Sequence, residues 1–160
     1  MDVAVFEKAL KQKVESCMQL ANSYFNSNIA SPNIRTNQRG RAAGTAYLQR
    51  HEVRFNYYMY QQNPDEFIRT VVPHEIAHLF VHQLFGAKVK PHGKEWQAVM
   101  AKVFALDPER THSFEVKPPA KSFHYRCNCS EHRLTIRRHN KVLKGCIYQC
   151  RQCKTSLIKV

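Results

Sequence analysis

Residues 74 to 78 read His74-Glu75-Ile76-Ala77-His78, an H-E-x-x-H run inside an apolar stretch of helical periodicity. Residues four apart on a helix lie one turn apart on the same face, so the two imidazoles are near enough to share one metal ion. The glutamate beside them suits a carboxylate that takes a proton from water held by that metal, the chemistry of a zinc hydrolase. No other feature constrains the chain as much, because the run needs a helix to carry it and a further donor from elsewhere to complete the site. The bland alternative is two surface histidines on a helix, which a five-residue match can produce by chance.

Catalytic zinc takes three protein ligands and keeps a fourth position for water. His82 extends the series by one more turn. At about 1.5 Å rise per residue, however, positions 74 and 82 lie roughly 12 Å apart along the axis, too far to share an ion with bonds of about 2 Å. His82 is therefore a bystander. His92, in Pro91-His92-Gly93-Lys94-Glu95-Trp96, is the better third donor, since a loop can bring it to the open side of the metal. Glu95 is the second candidate, because some zincins use a glutamate from a second helix. The ordinary alternative for His92 is a solvated loop histidine.

Periodicity supplies the rest of the first module. Phe6, Leu10, Val14, Cys17, Met18, Ala21 and Phe25 recur at three- and four-residue steps, which predicts a long amphipathic helix over roughly residues 3 to 25 that covers the core. Segments 33 to 37, 42 to 48 and 51 to 56 are short and partly alternating, with Gly40 and Gly44 as turn or bulge signals, and predict a small sheet of about three strands. Asn63-Pro64-Asp65-Glu66 opens the metal helix, with Asn63 as N-cap, Pro64 at the first helical position and acids in the first turn. Pro73 removes a backbone donor one residue before His74, so the helix either bends there or breaks and restarts. Gly86 is the expected C-cap. Trp96, Val99, Met100, Val103 and Phe104 form a further helical stripe stopped by Pro108, with Trp96 and Met100 read as core rather than substrate contacts.

Pro118-Pro119 marks a linker, dividing the chain into residues 1–118 and a module of residues 119–160. The second module contains Cys127-Asn128-Cys129 and, after twenty intervening residues, Cys150-Arg151-Gln152-Cys153, two ligand pairs in a zinc-ribbon arrangement. The first pair is tighter than the usual C-x-x-C knuckle, so His132 or His139 can stand in for Cys129. Cys17 reads as a small core residue and Cys146 as a turn residue near the ribbon.

Charge follows the same division. Residues 1 to 120 hold 15 Lys+Arg against 11 Asp+Glu, while residues 121 to 160 hold 10 against 1. A surface this basic favours polyanions, nucleic acid before membrane. The β-prone run from Arg133 to Lys141 can lay Arg133, Arg137, Arg138 and Lys141 along phosphates, with Tyr125 and Tyr148 packing the ribbon rather than stacking on bases. The alternative is a solvated face that only aids solubility.

Taken together, Val72-Pro73-His74-Glu75-Ile76-Ala77-His78-Leu79, His92-Gly93-Lys94-Glu95-Trp96, Tyr125-x-Cys127-x-Cys129 and Tyr148-x-Cys150-x-x-Cys153 resemble the bacterial SprT family over roughly residue 3 to the end. That family is related to the Spartan proteases, which degrade proteins crosslinked to DNA. The resemblance implies an α+β zincin-like metalloprotease domain followed by a small zinc ribbon. It also implies His74, His78 and His92 as ligands of a catalytic Zn²⁺, Glu75 as the catalytic residue, and a second, structural zinc. It names no substrate.

The expected chemistry is amide hydrolysis, with Glu75 taking the water proton and passing it to the leaving amine, on protein substrates associated with DNA. Tyr57, Tyr58 or a second histidine are the groups considered for the oxyanion. The rival is a non-catalytic zinc-containing scaffold that binds DNA or attends transcription. Glu75 separates the two, since a purely structural site gains little from a buried carboxylate beside its metal. No apolar stretch reaches the ~18 residues that span a bilayer. The N-terminus has an early acid and no basic region before an apolar core, unlike a signal peptide, so a cytoplasmic location is expected. Four cysteines at metal-ligand spacing point to a reducing compartment as well.

Overall fold

The structure is a computed structural model that describes residues 2–109, 114 and 122–160. The Pro118-Pro119 linker lies outside those residues. The chain divides into two compact units, residues 1–117 and 118–160.

In the first unit, helix α1 (Val3–Phe25) starts at Asp2, whose side chain accepts the Ala4 N–H, and ends at Asn26 in the left-handed region. Its buried positions are Phe6, Leu10, Val14, Cys17, Met18 and Ala21, one stripe at helical spacing. Burying each of the larger side chains is worth about 1.5–3 kcal/mol, so this face, not helix propensity, holds α1 on the core. Cys17 is 1 % exposed and is a core residue.

Strands β1 (Asn33–Arg35), β2 (Gly44–Tyr47) and β3 (Glu52–Phe55) form a sheet in the order β1-β3-β2. β3 pairs parallel with β1 and antiparallel with β2, so β2 is an edge strand. Val53 and Phe55 point into the core. Glu52 and Arg54 face the other way, where Glu52 accepts from Arg54 Nε at 2.6 Å and Arg35 Nε at 3.0 Å. A single helical turn, α2 (Tyr57–Tyr60), then leads into α3 (Pro64–Phe85).

α3 begins as its sequence predicts, with the Asn63 side chain accepting the Glu66 N–H and Pro64 in the first turn, and Gly86 caps its end at φ 78°. Of the two outcomes open at Pro73, the helix takes the continuous one and runs through the proline. Phe67, Val71, Val72, Ile76, Leu79 and Phe80 bury its middle, and these contacts outweigh the one backbone bond that Pro73 cannot donate.

The helix expected from Trp96 to Pro108 is different. An α-helical segment, α4 (Lys94–Ala98), passes into a π-helical turn over Val99–Val103, with Phe104 N–H bonding to the Val99 carbonyl at 3.1 Å. The wider turn brings Val103 and Phe104 against both apolar clusters, and the chain leaves it through Ala105 at φ 52°, ahead of Pro108. Burial of these side chains overrides regular 3.6-residue winding.

The second unit holds β4 (Ser122–Arg126), β5 (Glu131–Thr135) and β6 (Ile158–Lys159) in the antiparallel order β5-β4-β6. The run read as β-prone from Arg133 to Lys141 stays extended only to Thr135. It then forms helix α5 (Ile136–Leu143), which carries Arg137, Arg138 and Lys141. The cause is His139, which is 6 % exposed, hydrogen-bonded to the Tyr125 hydroxyl at 2.9 Å and stacked on Phe123 at 3.6 Å. Helical winding alone turns His139 inward while its charged neighbours stay exposed. Tyr125 is 1 % exposed and packs the ribbon. Cys146 is exposed just after Gly145, which takes φ 91°. Among the described residues no helix is long and apolar enough to cross a membrane.

Candidate active site and metal centres

α3 carries His74 and His78 one turn apart, and the turn before α4 brings His92 onto them. The Nε2 atoms lie 3.2 Å (His78 to His74), 3.0 Å (His78 to His92) and 3.1 Å (His92 to His74) from one another. Tetrahedral zinc with Zn–N bonds of about 2.05 Å places its ligand atoms about 3.3 Å apart, so this donor triangle has the size the ion requires. Of the two candidates for a third donor, His92 stands in the group of three and Glu95 stands outside it. His92 reaches the cluster from the left-handed region, at φ 56°. Gly93 follows it in a turn so tight that its N–H bonds to Lys90 O at 2.9 Å and a Cβ would meet the same oxygen at 2.9 Å.

Trp96 forms the wall behind the imidazoles. It is 1 % exposed, its indole N–H donates to the His74 carbonyl at 3.3 Å, and its ring centroid lies 4.8, 5.4 and 4.7 Å from those of His74, His78 and His92. The helical stripe places it in the core. It is core and also the surface on which the three imidazoles rest. Burial first, and then the neighbouring His92, push His78 down to about 4, so at neutral pH its nitrogen has a lone pair to offer.

Glu75 is 7 % exposed and lines the same cleft, of about 540 Å³, as the three histidines. Burial pushes its carboxyl up to about 7, and a hydrogen bond from the Ala46 backbone opposes that rise. Among the described residues it makes no ion pair. A carboxylate with no cation and one backbone donor is poised to take up a proton. β2 forms the opposite wall of the cleft through Gly44, Thr45 and Ala46. The sequence marked Gly44 only as a turn or bulge signal. A glycine inside a strand also signals a close approach by another group, and here that group is Glu75. Tyr57 and Tyr58 are not in the cleft; both pack on the main core, Tyr57 with its ring 5.4 Å from Phe6. His82 does line the cleft but stands outside the donor triangle, in keeping with its distance along the helix.

In the second unit Cys127, Cys129, Cys150 and Cys153 bring their sulfurs within 4.8 Å of one another. Cys129 Sγ lies 3.4 Å from that of Cys127 and 3.6 Å from that of Cys150. Zn–S bonds of about 2.3 Å in a tetrahedron separate sulfurs by about 3.8 Å, which fits. Cys129 therefore completes the set. His139 is committed to Tyr125 and Phe123, and His132 stays outside the four, its Nε2 3.2 Å from Cys127 Sγ. Arg133, Arg137, Arg138 and Lys141 are all exposed. They do not form one row: Arg133 is on β5 and the others on α5, with Arg138 6.0 Å from the Tyr148 ring centre.

Residues 14–118 match the SprT-like family and residues 121–160 the SprT-like zinc ribbon domain. The chain belongs to the SprT-like family. It is 47 % identical to Protein SprT of Actinobacillus succinogenes over 150 residues, which cover 92 % of this chain and 88 % of that one. Protein SprT of Pasteurella multocida is 46 % identical over 153 residues, covering 94 % and 92 %, and that of Yersinia pestis 48 % over 155 residues, covering 93 % and 91 %. No solved structure matches the chain. SprT-like membership brings an α+β chain with a C-terminal zinc ribbon, and the two donor clusters, one of three histidines and one of four cysteines, are both suited to zinc.

Proposed function

We propose that the chain is a zinc-dependent metallopeptidase of the zincin type, with His74, His78 and His92 as metal ligands and Glu75 as general base. The observation that carries this reading is Glu75 itself: a buried carboxylate without an ion pair among the described residues, facing the same cleft as three convergent imidazoles. A zinc scaffold has no use for such a group, whose burial costs free energy. Amide hydrolysis requires one.

Zinc bound by the three imidazoles supplies a Lewis acid that polarises a carbonyl and lowers the pKa of water. The protein side chains do the rest. Glu75 accepts the proton of the attacking water and returns it to the leaving amine, while the Ala46 N–H orients its carboxylate. Trp96 holds the three rings and excludes water behind them. β2 is an edge strand along the cleft, so an extended peptide added to it would run past the imidazoles, which favours an unfolded or flexible segment as substrate.

The four cysteines hold a structural zinc in this reading, and the exposed Arg133, Arg137, Arg138 and Lys141 bring the enzyme to DNA, with DNA-associated proteins as substrates. The test is cleavage of a DNA-bound protein with and without DNA, run on wild type and Glu75→Gln with zinc measured in both. Loss of cleavage with zinc retained supports the base assignment. Wild-type cleavage by Glu75→Gln, with contaminating protease excluded, would remove it.

A further inference from the structure

We propose that Gly44 is a positioning residue for Glu75: β2 omits a side chain at this point so that the carboxylate can lie against the strand and be held by the Ala46 N–H. The catalytic consequence rests on Glu75 being the base. A Cβ on Gly44 would lie 2.6 Å from Glu75 Cγ, 3.0 Å from Oε1 and 3.1 Å from Cδ. Carbon atoms do not pack at 2.6 Å, so one partner would have to move.

Neither has an easy retreat. Gly44 pairs in register with Phe55, which is fully buried, and β2 cannot back away without opening the core. The atom it meets is the middle of the Glu75 side chain, not a free end, and that side chain projects from the buried face of α3 beside His74. Gly44 is not among the glycines with positive φ, so an alanine there carries no backbone strain. The requirement for glycine is therefore one of space, and the group that occupies the space is Glu75. The three atoms nearest that Cβ position all belong to Glu75, so an added methyl displaces the carboxylate first, while His74, His78 and His92 keep their triangle. Misplacing a reacting group by about 1 Å costs on the order of 100-fold in rate.

The experiment has two arms on the zinc-loaded 160-residue chain. In the first, Gly44→Ala is compared with wild type in peptide cleavage. The expected result is a kcat lower by about 10- to 100-fold with KM and zinc content unchanged. A KM effect alone, or an unchanged kcat, overturns the proposal. In the second arm Gly44→Ala is made in the wild-type and Glu75→Ala backgrounds and thermal unfolding is measured. Contact with Glu75 predicts a Tm loss on the order of 5 °C in the first background and none in the second, where the methyl enters vacated space. Equal losses in both mean that the glycine serves the strand and not Glu75. If wild type itself cleaves nothing, the protease reading fails and this arm alone decides whether Gly44 places Glu75.

Discussion

Replacing Glu75 with Gln should abolish the proposed hydrolysis and at the same time stabilise the metal-free protein, because the carboxylate sits where its charge is poorly solvated. Burial lifts its pKa from 4.5 to about 7. At about 1.4 kcal/mol per unit, that shift is about 3 kcal/mol of folding free energy forgone when the group must ionise. A raised carboxyl favours the folded state's neutral form. Below pH 4.5 folded and unfolded chains are both protonated at this group and the cost is absent. Between pH 4.5 and about 7 the unfolded chain releases its proton first, so stability falls as pH rises, and above about 7 the whole cost is present. Gln keeps the shape and the acceptor for the Ala46 N–H and carries no charge. The difference between Glu75→Gln and wild type should therefore grow from about 1 kcal/mol at pH 5 to about 3 kcal/mol at pH 8, or about 10 °C in Tm for a unit of this size. His78, held down to about 4, has the opposite sign, since its contribution is lost as pH falls below 6.5, but both proteins share it. The assay is thermal unfolding of chelator-treated protein at several pH values. Metal lost from the C-terminal unit is lost from both proteins and drops out of the difference. A stability gap that does not change with pH, or that favours wild type, would refute the account of Glu75 as a poorly solvated carboxylate.

Other expectations follow from the same geometry. His92→Ala should lower zinc content by one ion per chain, and Glu95→Ala should leave it unchanged; the reverse pattern in metal analysis would transfer the third ligand to Glu95. The double variant Cys150→Ser/Cys153→Ser should unfold residues 122–160 while the first unit keeps its structure, since so small a sheet has too little apolar surface to fold without its metal. Retention of both the far-UV spectrum and the zinc stoichiometry would contradict that. Replacing Arg133, Arg137, Arg138 and Lys141 together with Gln should flatten the log–log salt dependence of duplex-DNA binding by up to about 3.6 units, with little regard to base sequence. Identical slopes for the two proteins would move the proposed DNA contact elsewhere or remove it, leaving the basic residues as a solvated face.

The local signals in this chain were strong enough to read without coordinates. The 3- and 4-residue spacing from Phe6 to Ala21, the Asn63-Pro64 start and the Gly86 stop each depend on near neighbours, and all three helix features appear where the pattern puts them. The spacing of His74, His78 and the cysteine pairs is likewise a local property. Where two long-range partners compete, the sequence leaves the choice open. His92 rather than Glu95 joins the three-histidine group, and Cys129 rather than His132 or His139 the four-cysteine group, because folding brings those donor atoms to a common point. Tertiary burial also decides the cases in which local preference misleads. Val99–Val103 widens into a π-helical turn to bury its apolar side chains, and the basic run after Thr135 becomes a helix because His139 needs the Tyr125 and Phe123 side of the ribbon. The contact between Gly44 and Glu75 is the clearest case. The two residues are far apart in the chain, on a strand and a helix, and only their approach in space makes a missing methyl on one a condition for the placement of the other.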